Sequence, residues 1–595
     1  NRSNAHEWIY TRFDELNRTV ATGTITDPTH YNDHAWHQQQ AAASADYPNL
    51  ASYTHDELTN TFYDNYAWRS SYGNPLNDVR SSSYDSYFFT PDNNNWPYPQ
   101  AMTQDNMLTG LVTGTRTKVP GTSTWLFSVI FYDDKGRVIQ ILSNNISGGS
   151  DILATQYNWA GKPLMTAMRT DKGGVNSQTT VVLTRFTYDD LERLIKTEKR
   201  LSNSLVNSNA MSAWTTLSEC TYNALGQLTT KTLGNDLETL DHEYNIRGWL
   251  TGINRSFVNN NSDRYFGFEL GYDNTGTIIA GTSFAAAQYN GNINGMIWKS
   301  KGDGQRRKYD FSYDATNRLL KADFNQYTSG SFNKTAGIDF SMKMGDGTNH
   351  LLAYDANGNI LRMQQWGLKG FSSSQIDDLN YTYESLSNRL KNVIDDHNDP
   401  QTKLGDYRTS QTYMTALGGT KTTAATDYAY DDNGNLTKDL NKDIDDPSYQ
   451  PIEYNFLNLP VKVRVKNKGT IEFLYDALGN KLQKTVKETG QPDKVTLYIN
   501  GLVFENDELQ LIPHEEGRIR TVGTTGFAYD YFLKDHQGNV RTVLTDQTLP
   551  PTGYQATMET ASFGTEDALF SQIGETVADK PAGFDSDGGN QKVSK

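Results

Sequence analysis

Several groupings of side chains in this 595-residue sequence could do chemistry. His30, His34 and His37 recur at helical spacing with Asp33 among them. On a helix the three imidazoles would share one face, a donor set suited to zinc. The run Gly281-Thr282-Ser283-Phe284-Ala285-Ala286 offers a serine that could attack a carbonyl if a His took its proton and an Asp held that His. Acid pairs recur at Asp189-Asp190, Asp377-Asp378, Asp395-Asp396, Asp431-Asp432 and Asp445-Asp446. Two carboxylates facing each other across one bond would hydrolyse a glycoside. Asp355-Ala356-Asn357-Gly358-Asn359 has the opening spacing of a calcium loop.

Each grouping lacks what would complete it. Pro28 precedes the histidines, Asn32 and Asp33 are weak helix formers, and no second ligand cluster follows. The segment therefore reads as polar surface. Ser283 has no His-Gly-Thr-His-like or Asp-[ST]-Gly-like companion, and Ala287 stands where a subtilisin-like nucleophile segment has Pro. It reads as a small-residue loop. Sequence neighbours on a strand point to opposite faces, so the acid pairs read as turn and loop residues. The calcium loop would need Glu at its twelfth position, which is Trp366. Cys220, two residues before Tyr222, reads as a packed strand thiol, and the basic stretch 299–308 as a solvated loop. The expectation is no catalytic residue, no metal and no cofactor.

What does recur is a short unit. Tyr132-Asp133-Asp134-Lys135-Gly136-Arg137-Val138 has relatives opening at Tyr188-Asp189, at Tyr222 with Gly226, at Tyr244 with Gly248 and at Tyr313-Asp314. Others open at Tyr354-Asp355 with Gly358, Tyr430-Asp431 with Gly434, and Tyr475-Asp476 with Gly479. Tyr157, Tyr272, Tyr383 and Tyr454 start further copies, and Phe13-Asp14 starts the first. The intervals are uneven: Tyr454 to Tyr475 is less than half of Tyr383 to Tyr430. Stacked helices would hold a fixed period, so variable spacers point to hairpins with loops of different length.

The unit's chemistry explains its form. Tyr suits a half-buried pleated surface. An Asp or Asn after it can bond the backbone two residues on and nucleate a turn. Gly or Asn at the fifth position supplies the positive φ that closes the turn, so Gly136, Gly226, Gly358, Gly434 and Gly479 are expected to be left-handed. An apolar residue then starts the return strand. Residues 461–466 alternate with period 2, as a strand should. Helical signals are sparse, limited to the Ala-rich stretches 38–45 and 283–288, while 144–150, 258–263 and 395–399 read as connections.

Composition agrees with a sheet and excludes other classes. Hydrophobic residues make up 36 %, a figure that counts 35 Tyr, so little aliphatic matter is left for dense cores. Aromatic residues at 12 % argue against disorder. A net charge of −16 disfavours nucleic acid as a partner, and no apolar run is long enough to span a membrane. One cysteine cannot form an internal disulfide. Because the first residue is Asn1, with neither Met nor a signal-like segment, the chain is expected to be a processed product or a piece of something longer.

The repeated Y-D-x-x-G-[RN]-[LIV] pattern resembles the YD repeat of the RHS family, which includes the teneurin shell and the C components of bacterial toxin complexes. A second signature runs Tyr531-Phe532-Leu533-Lys534-Asp535-His536-Gln537-Gly538-Asn539-Val540-Arg541. Its Asp535, His536, Gly538, Asn539 and Arg541 resemble the start of the RHS-associated core, with Gln537 where the family more often has Leu. The resemblance implies an all-β chain, a long spiralling sheet of hairpins that forms part of a hollow shell. It divides the chain into an irregular start over 1–125 with an inserted loop at 25–60, the hairpin shell over 126–526, and over 527–595 the beginning of the core and a trailing segment. A short helix is expected near 565–573. Bacterial members enclose a toxic C-terminal domain, which the core severs with its own aspartyl protease. That protease motif does not occur in this sequence.

The implied function is containment of a C-terminal toxin or passenger, exported from a bacterium to the outside or the cell surface, with a secretion apparatus as a further partner. The alternative is an adhesion protein whose exposed Tyr, Trp and Asn bind glycans or proteins. A sheet this long must curl or split into layers. Layers need an apolar inner face, so the composition favours curling around a lumen lined by Tyr, Leu, Asn and Thr.

Overall fold

The computed structural model describes residues 6–44, 46–369, 372–397, 405–446, 448–548, 577–579 and 592–594. It divides into two compact units, Asn1–Asp546 and Gln547–Lys595. In the second, the described residues form one antiparallel pair, Val577–Asp579 with Lys592–Ser594. The helix expected near 565–573 lies outside the described residues.

Strands form where apolar residues alternate. In Trp125–Tyr132, Phe127, Val129 and Phe131 are buried, and in Leu319–Thr328 so are Leu320, Ala322 and Phe324. This period of 2 assigns one set of side chains to one face. The chain is accordingly all-β: a sheet of 23 strands runs from Glu7–Phe13 to Leu390–Asp395. The strands pair antiparallel with their neighbours in sequence, as in the run from Trp125–Tyr132 through Leu194–Asn203, except that Ser331–Asn333 and Met342–Met344 both pair with Leu319–Thr328. The sheet is open rather than closed into a barrel. A second sheet of ten strands meanders from Ile452–Tyr454 to Val540–Thr545, and Tyr428–Tyr430 with Leu436–Asp439 forms a separate pair between them. A meander turns at alternate ends of its strands. The Tyr-Asp turns of the long sheet therefore all lie along one rim.

The later strands of the second sheet, from Lys494–Ile499 to Val540–Thr545, pack on the central part of the long sheet, which corrects the expectation that composition would forbid layers. Val182, Leu201, Leu217, Phe268 and Met296 of the long sheet share one core with Ile499, Phe504, Ile519 and Tyr531 of the second. Burying a side chain such as Phe268 or Phe504 contributes about 1.5–3 kcal/mol. Polar ties flank this core: Lys199–Glu515 at 3.2 Å, Lys231–Glu516 at 2.8 Å, and the Tyr531 hydroxyl donating to Thr216 O at 3.3 Å. The apolar residues are concentrated here rather than spread evenly. Some strands away from this core remain half-wet on both faces, as in Pro460–Val465 of the second sheet, where every residue is half-buried.

Three excursions leave the meander. The first, 27–53, replaces the expected loop at 25–60: strands Thr19–Thr26 and Thr54–Tyr63 pair directly, and a helix, His34–Ala43, sits between them. Asp33 caps that helix by accepting from Trp36 N at 2.9 Å, so it is a terminator and not a weak interior residue. The second, 64–111, was not legible in the sequence; it lays Trp68, Leu76 and Met102 over Phe127, Val129 and Phe131. The third, 272–294, contains the Ala-rich stretch 283–288, which is not helical. Phe284 is instead buried with Val258, Ile279 and Ile297, and Ala285 N donates to Asp310 Oδ1 at 2.9 Å. Anchoring one large ring outweighs the helix preference of three alanines.

Candidate functional site

The recurring turn is built by its acid. In the Tyr132 unit, Asp133 Oδ1 accepts from the backbone N–H of Lys135 and of Arg137, at 3.0 and 2.9 Å. Its Oδ2 accepts from Arg137 Nε at 2.7 Å, and Gly136, at φ +71°, closes the turn by donating to Asp133 O. Asp14 with Arg18, Asp189 with Arg193 and Asp314 with Arg318 repeat the Nε bond at 2.7 Å. Where the sixth residue is Asn, its Nδ2 takes the same place: Asn359 on Asp355, Asn435 on Asp431 and Asn480 on Asp476, at 2.8–2.9 Å. In the Tyr222 and Tyr244 units, Asn223 and Asn245 provide the accepting oxygen. Gly226, Gly248, Gly358, Gly434 and Gly479 all have φ between +77° and +90°.

At Asp189, Asp355 and Asp314 these bonds favour the ionised carboxylate. The Arg193 guanidinium keeps Asp189 below the usual carboxylate range, and the Asn359 amide does so for Asp355. At Asp314, burial opposes the donors Arg318 and Thr316, and the donors win.

Each unit then grips its neighbour. The Tyr157 hydroxyl donates to Val138 O, the first residue of the preceding return strand, at 2.9 Å. Tyr63, Tyr132, Tyr188, Tyr222, Tyr272, Tyr313, Tyr354, Tyr383, Tyr430 and Tyr454 do likewise toward the strand before them, at 2.6–3.0 Å. Arginine links in the other direction. Arg137 lies 5.2 Å over the Tyr157 ring and donates to Asn158 O at 2.9 Å; Arg193 and Arg318 stand likewise over Tyr222 and Tyr354. The Asn versions reach across by amide, Asn359 to Asn388 and Asn435 to Asn458. Polar links of these kinds recur along the rim.

Two units depart from the pattern. The Tyr383 unit has Glu384 instead of Asp and one extra residue, and Leu386 takes the positive φ of 57°. After Tyr272 no hairpin forms, because the chain enters the third excursion; Ile278 N donates to both oxygens of Glu269.

The Asp535 signature repeats the same turn with Lys534 in the place of Tyr. Asp535 Oδ1 accepts from Gln537 N and Asn539 N, its Oδ2 accepts from Asn539 Nδ2 and Arg541 Nε, and Gly538 has φ +84°. His536 lies 6.0 Å from the Phe268 ring of the long sheet.

The sequence groupings separate in space. His37 is buried rather than a surface residue, held by Tyr47 OH and His30 O, while His34 is exposed. Ser283 bridges to Gly276, and its carbonyl accepts from Lys308 Nζ at 2.9 Å. Lys308 itself is buried against Asp310, so 299–308 is two strands and their turn rather than a solvated loop. The Asp355 segment is a repeat turn, and Trp366 stands on the strand Arg362–Lys369. Cys220 is half-buried on Thr215–Tyr222, and burial pushes its thiol up. Asp377-Asp378 is neither turn nor loop: both acids are buried on the strand Ser372–Tyr383.

Several turns carry an exposed apolar tip, among them Leu16, Leu191, Leu225, Ile246, Leu386 and Leu478. The backbone N–H of Leu16, Leu191, Leu225 and Leu478 donates to the turn's acid or amide, but their side chains take no part in that bonding.

No family model and no curated protein matches the sequence. Among solved structures the chain is similar to "Crystal Structure of TcdB2-TccC3", 13 % identical at TM-score 0.31, over 90 % of this chain and 30 % of that one. It is also similar to "Crystal Structure of TcdB2-TccC3-Cdc42", 12 % identical at TM-score 0.28, over 90 % and 27 %. A porin-like protein from Bacteroides uniformis is 10 % identical at TM-score 0.15, over 57 % of this chain and 92 % of that one. The chain thus spans less than a third of the first two structures. At these scores the likenesses carry no argument, and the fold stands on its own strand registers.

Proposed function

We propose that the chain is a section of an RHS-type shell wall, without enzymatic activity of its own, that contains a C-terminal toxin or other passenger polypeptide in a bacterial product bound for export or the cell surface. One observation carries this reading. The polar groups that recur along the chain are spent on holding hairpin to hairpin: the Asp of a unit such as Asp133 is saturated by its own turn, and Tyr157 and ten other Tyr hydroxyls are donated to the strand before them. A general acid or nucleophile must be free to exchange a proton or attack. These are not free. A wall needs the opposite property, many weak identical joints summed along one rim.

The packed second sheet changes where a passenger would lie. The central face of the long sheet is occupied, so the faces left half-wet, near Pro460–Val465 and Arg362–Lys369, are the surfaces offered to it. Limited proteolysis of the native polypeptide tests the reading. A contained segment resists added protease while the wall is intact and is cleaved once denaturant opens it. Equal digestion in both conditions would sink containment.

A second reading, adhesion, has its own support in the row of exposed apolar tips from Leu16 to Leu478. Replacing Leu191, Leu225 and Ile246 together by Ser would abolish surface binding under that reading and leave protease protection untouched under the first.

A further inference from the structure

Three acids from separate parts of the sequence meet where the long sheet ends. Asp377 is on Ser372–Tyr383, Asp395 ends the partner strand Leu390–Asp395, and Asp406 stands just before Tyr407. The register pairs Leu379 with Asp395, so Asp377 lies diagonally across from Asp395. Like charges so placed repel. One carboxylate oxygen from each residue lies within 4.8 Å of the other two.

The local hydrogen bonds orient this cluster without neutralising it. Asp395 Oδ1 accepts from Asp378 N and His397 N, each at 3.0 Å. Asp377 Oδ1 accepts from Tyr407 N at 2.7 Å, and Asp406 Oδ2 from Arg408 Nε at 2.7 Å. The Asp406 side chain is 0 % exposed, yet its Oδ1 has no hydrogen-bond partner, and neither has the buried Oδ2 of Asp395. Unpaired buried carboxylate oxygens are costly and rare. Among the described residues, the cation in these bonds against three carboxylates is Arg408.

We propose that Asp377, Asp395 and Asp406 form a calcium site that ties the last strands of the long sheet to the segment that follows. Ca²⁺ prefers carboxylate oxygens at about 2.3–2.6 Å, so one ion can touch oxygens up to about 4.6–5.2 Å apart without moving them. Mg²⁺, with bonds of about 2.0–2.1 Å, a near-ideal octahedral demand and a reluctance to shed its waters, is the poorer fit to a buried all-carboxylate set. The further ligands that Ca²⁺ takes, about six to eight in all, would be carbonyl oxygens and waters. Burial, with the neighbouring acids, pushes Asp377 up to about 6, and burial raises Asp395 as well. Both effects are those of carboxylates that a bound cation would relieve.

The test is calcium titration of the chelator-treated chain by calorimetry, with the melting temperature followed in parallel. The expected result is one tight Ca²⁺ per chain, a higher melting temperature with Ca²⁺, and weaker binding of Mg²⁺. Asp406→Asn should weaken Ca²⁺ binding at least tenfold. Because it also removes repulsion, this variant should melt no lower than wild type without calcium, so misfolding cannot account for the loss. Absence of calcium binding, equal affinity in Asp406→Asn, or Mg²⁺ bound as tightly as Ca²⁺ would overturn the proposal. A melting temperature that responds to pH but not to calcium would show that the acids share protons instead, and would also overturn it.

Discussion

Arg318 binds the carboxylate of Asp314 in its own turn at 2.7 Å, and the same guanidinium lies 4.5 Å over the ring of Tyr354, which opens the next repeat along the rim. Tyr354 returns the contact through its hydroxyl, which donates to Leu319 O at 2.6 Å. The Tyr313 unit is therefore closed by the same arginine that joins it to the next, and the next is joined back through its hydroxyl.

Tyr354→Phe should remove the hydroxyl bond and leave the ring under Arg318. The expected cost is about 1 kcal/mol, the net worth of one hydrogen bond. Arg318→Ala removes the closure, the stack and the reach to Asp355 O together, and should cost about 2–3 kcal/mol. Hydrogen exchange checks this. Faster exchange should be confined to the 313–319 and 354–360 turns.

Gly358→Val tests backbone strain free of steric clash. Gly358 has φ +89°, and a Cβ there would meet nothing within 4 Å. The whole effect should be conformational, about 1–3 kcal/mol. Gly295→Ala is the converse case, because a Cβ would run into the Phe284 ring and the excursion would have to move. Denaturant melts of the two variants should show the first as a local loss and the second as release of Phe284 from its cluster.

Phe504→Ala should loosen the contact between the sheets. Phe504 is 1 % exposed, and its removal leaves a cavity among Leu, Ile and Phe side chains, at about 3–5 kcal/mol. Binding of a fluorescent apolar dye, absent in wild type, should appear before secondary structure is lost.

His514 makes stability depend on pH. Burial, with Lys199 nearby, lowers its pKa from 6.5 to about 4. The folded state therefore holds the imidazole neutral while the unfolded chain takes up a proton below pH 6.5. The contribution is present above 6.5 and is lost as pH falls toward 4, by at most about 3 kcal/mol. Glu238 slopes the other way. Burial raises its pKa to about 7, so its contribution is present below 4.5 and lost as pH rises through 7. The two oppose each other between pH 4.5 and 6.5, so wild type alone is uninformative there. The melting temperature of His514→Gln minus that of wild type should rise steadily from pH 6.5 to 4. A constant difference would contradict the assignment.

The repeat was legible because its bonds are local: Asp133 reaches residues two and four positions on, and any reader of the turn's chemistry meets all of them in one line of sequence. The role of Arg137 toward Tyr157 was not legible, because the interval between units varies and nothing local marks the next ring. The core between the sheets was hidden by averaging, since a low apolar fraction over 595 residues conceals one rich stripe near Phe268 and another near Phe504. Asp377, Asp395 and Asp406 each belong to an ordinary polar stretch, and only the hairpin register brings them together. The stretch 283–288 misled because alanine preference is weak beside one buried phenylalanine.

The meander also sets an order of events in time. A strand that pairs only with the one made just before it can dock as soon as it leaves the ribosome, and each tyrosine needs only the previous turn to be finished. The second sheet breaks this rhythm. Tyr531 meets Thr216 across 315 residues of chain, which at about 5–20 residues per second is on the order of 15–60 s of translation. For that interval the apolar stripe around Leu201, Leu217 and Phe268 has been synthesised and its cover has not. A nascent chain of this kind spends most of its birth with a sticky flank open, and a chaperone that shields that flank until Phe504 and Tyr531 arrive would govern how much of the protein survives its own synthesis.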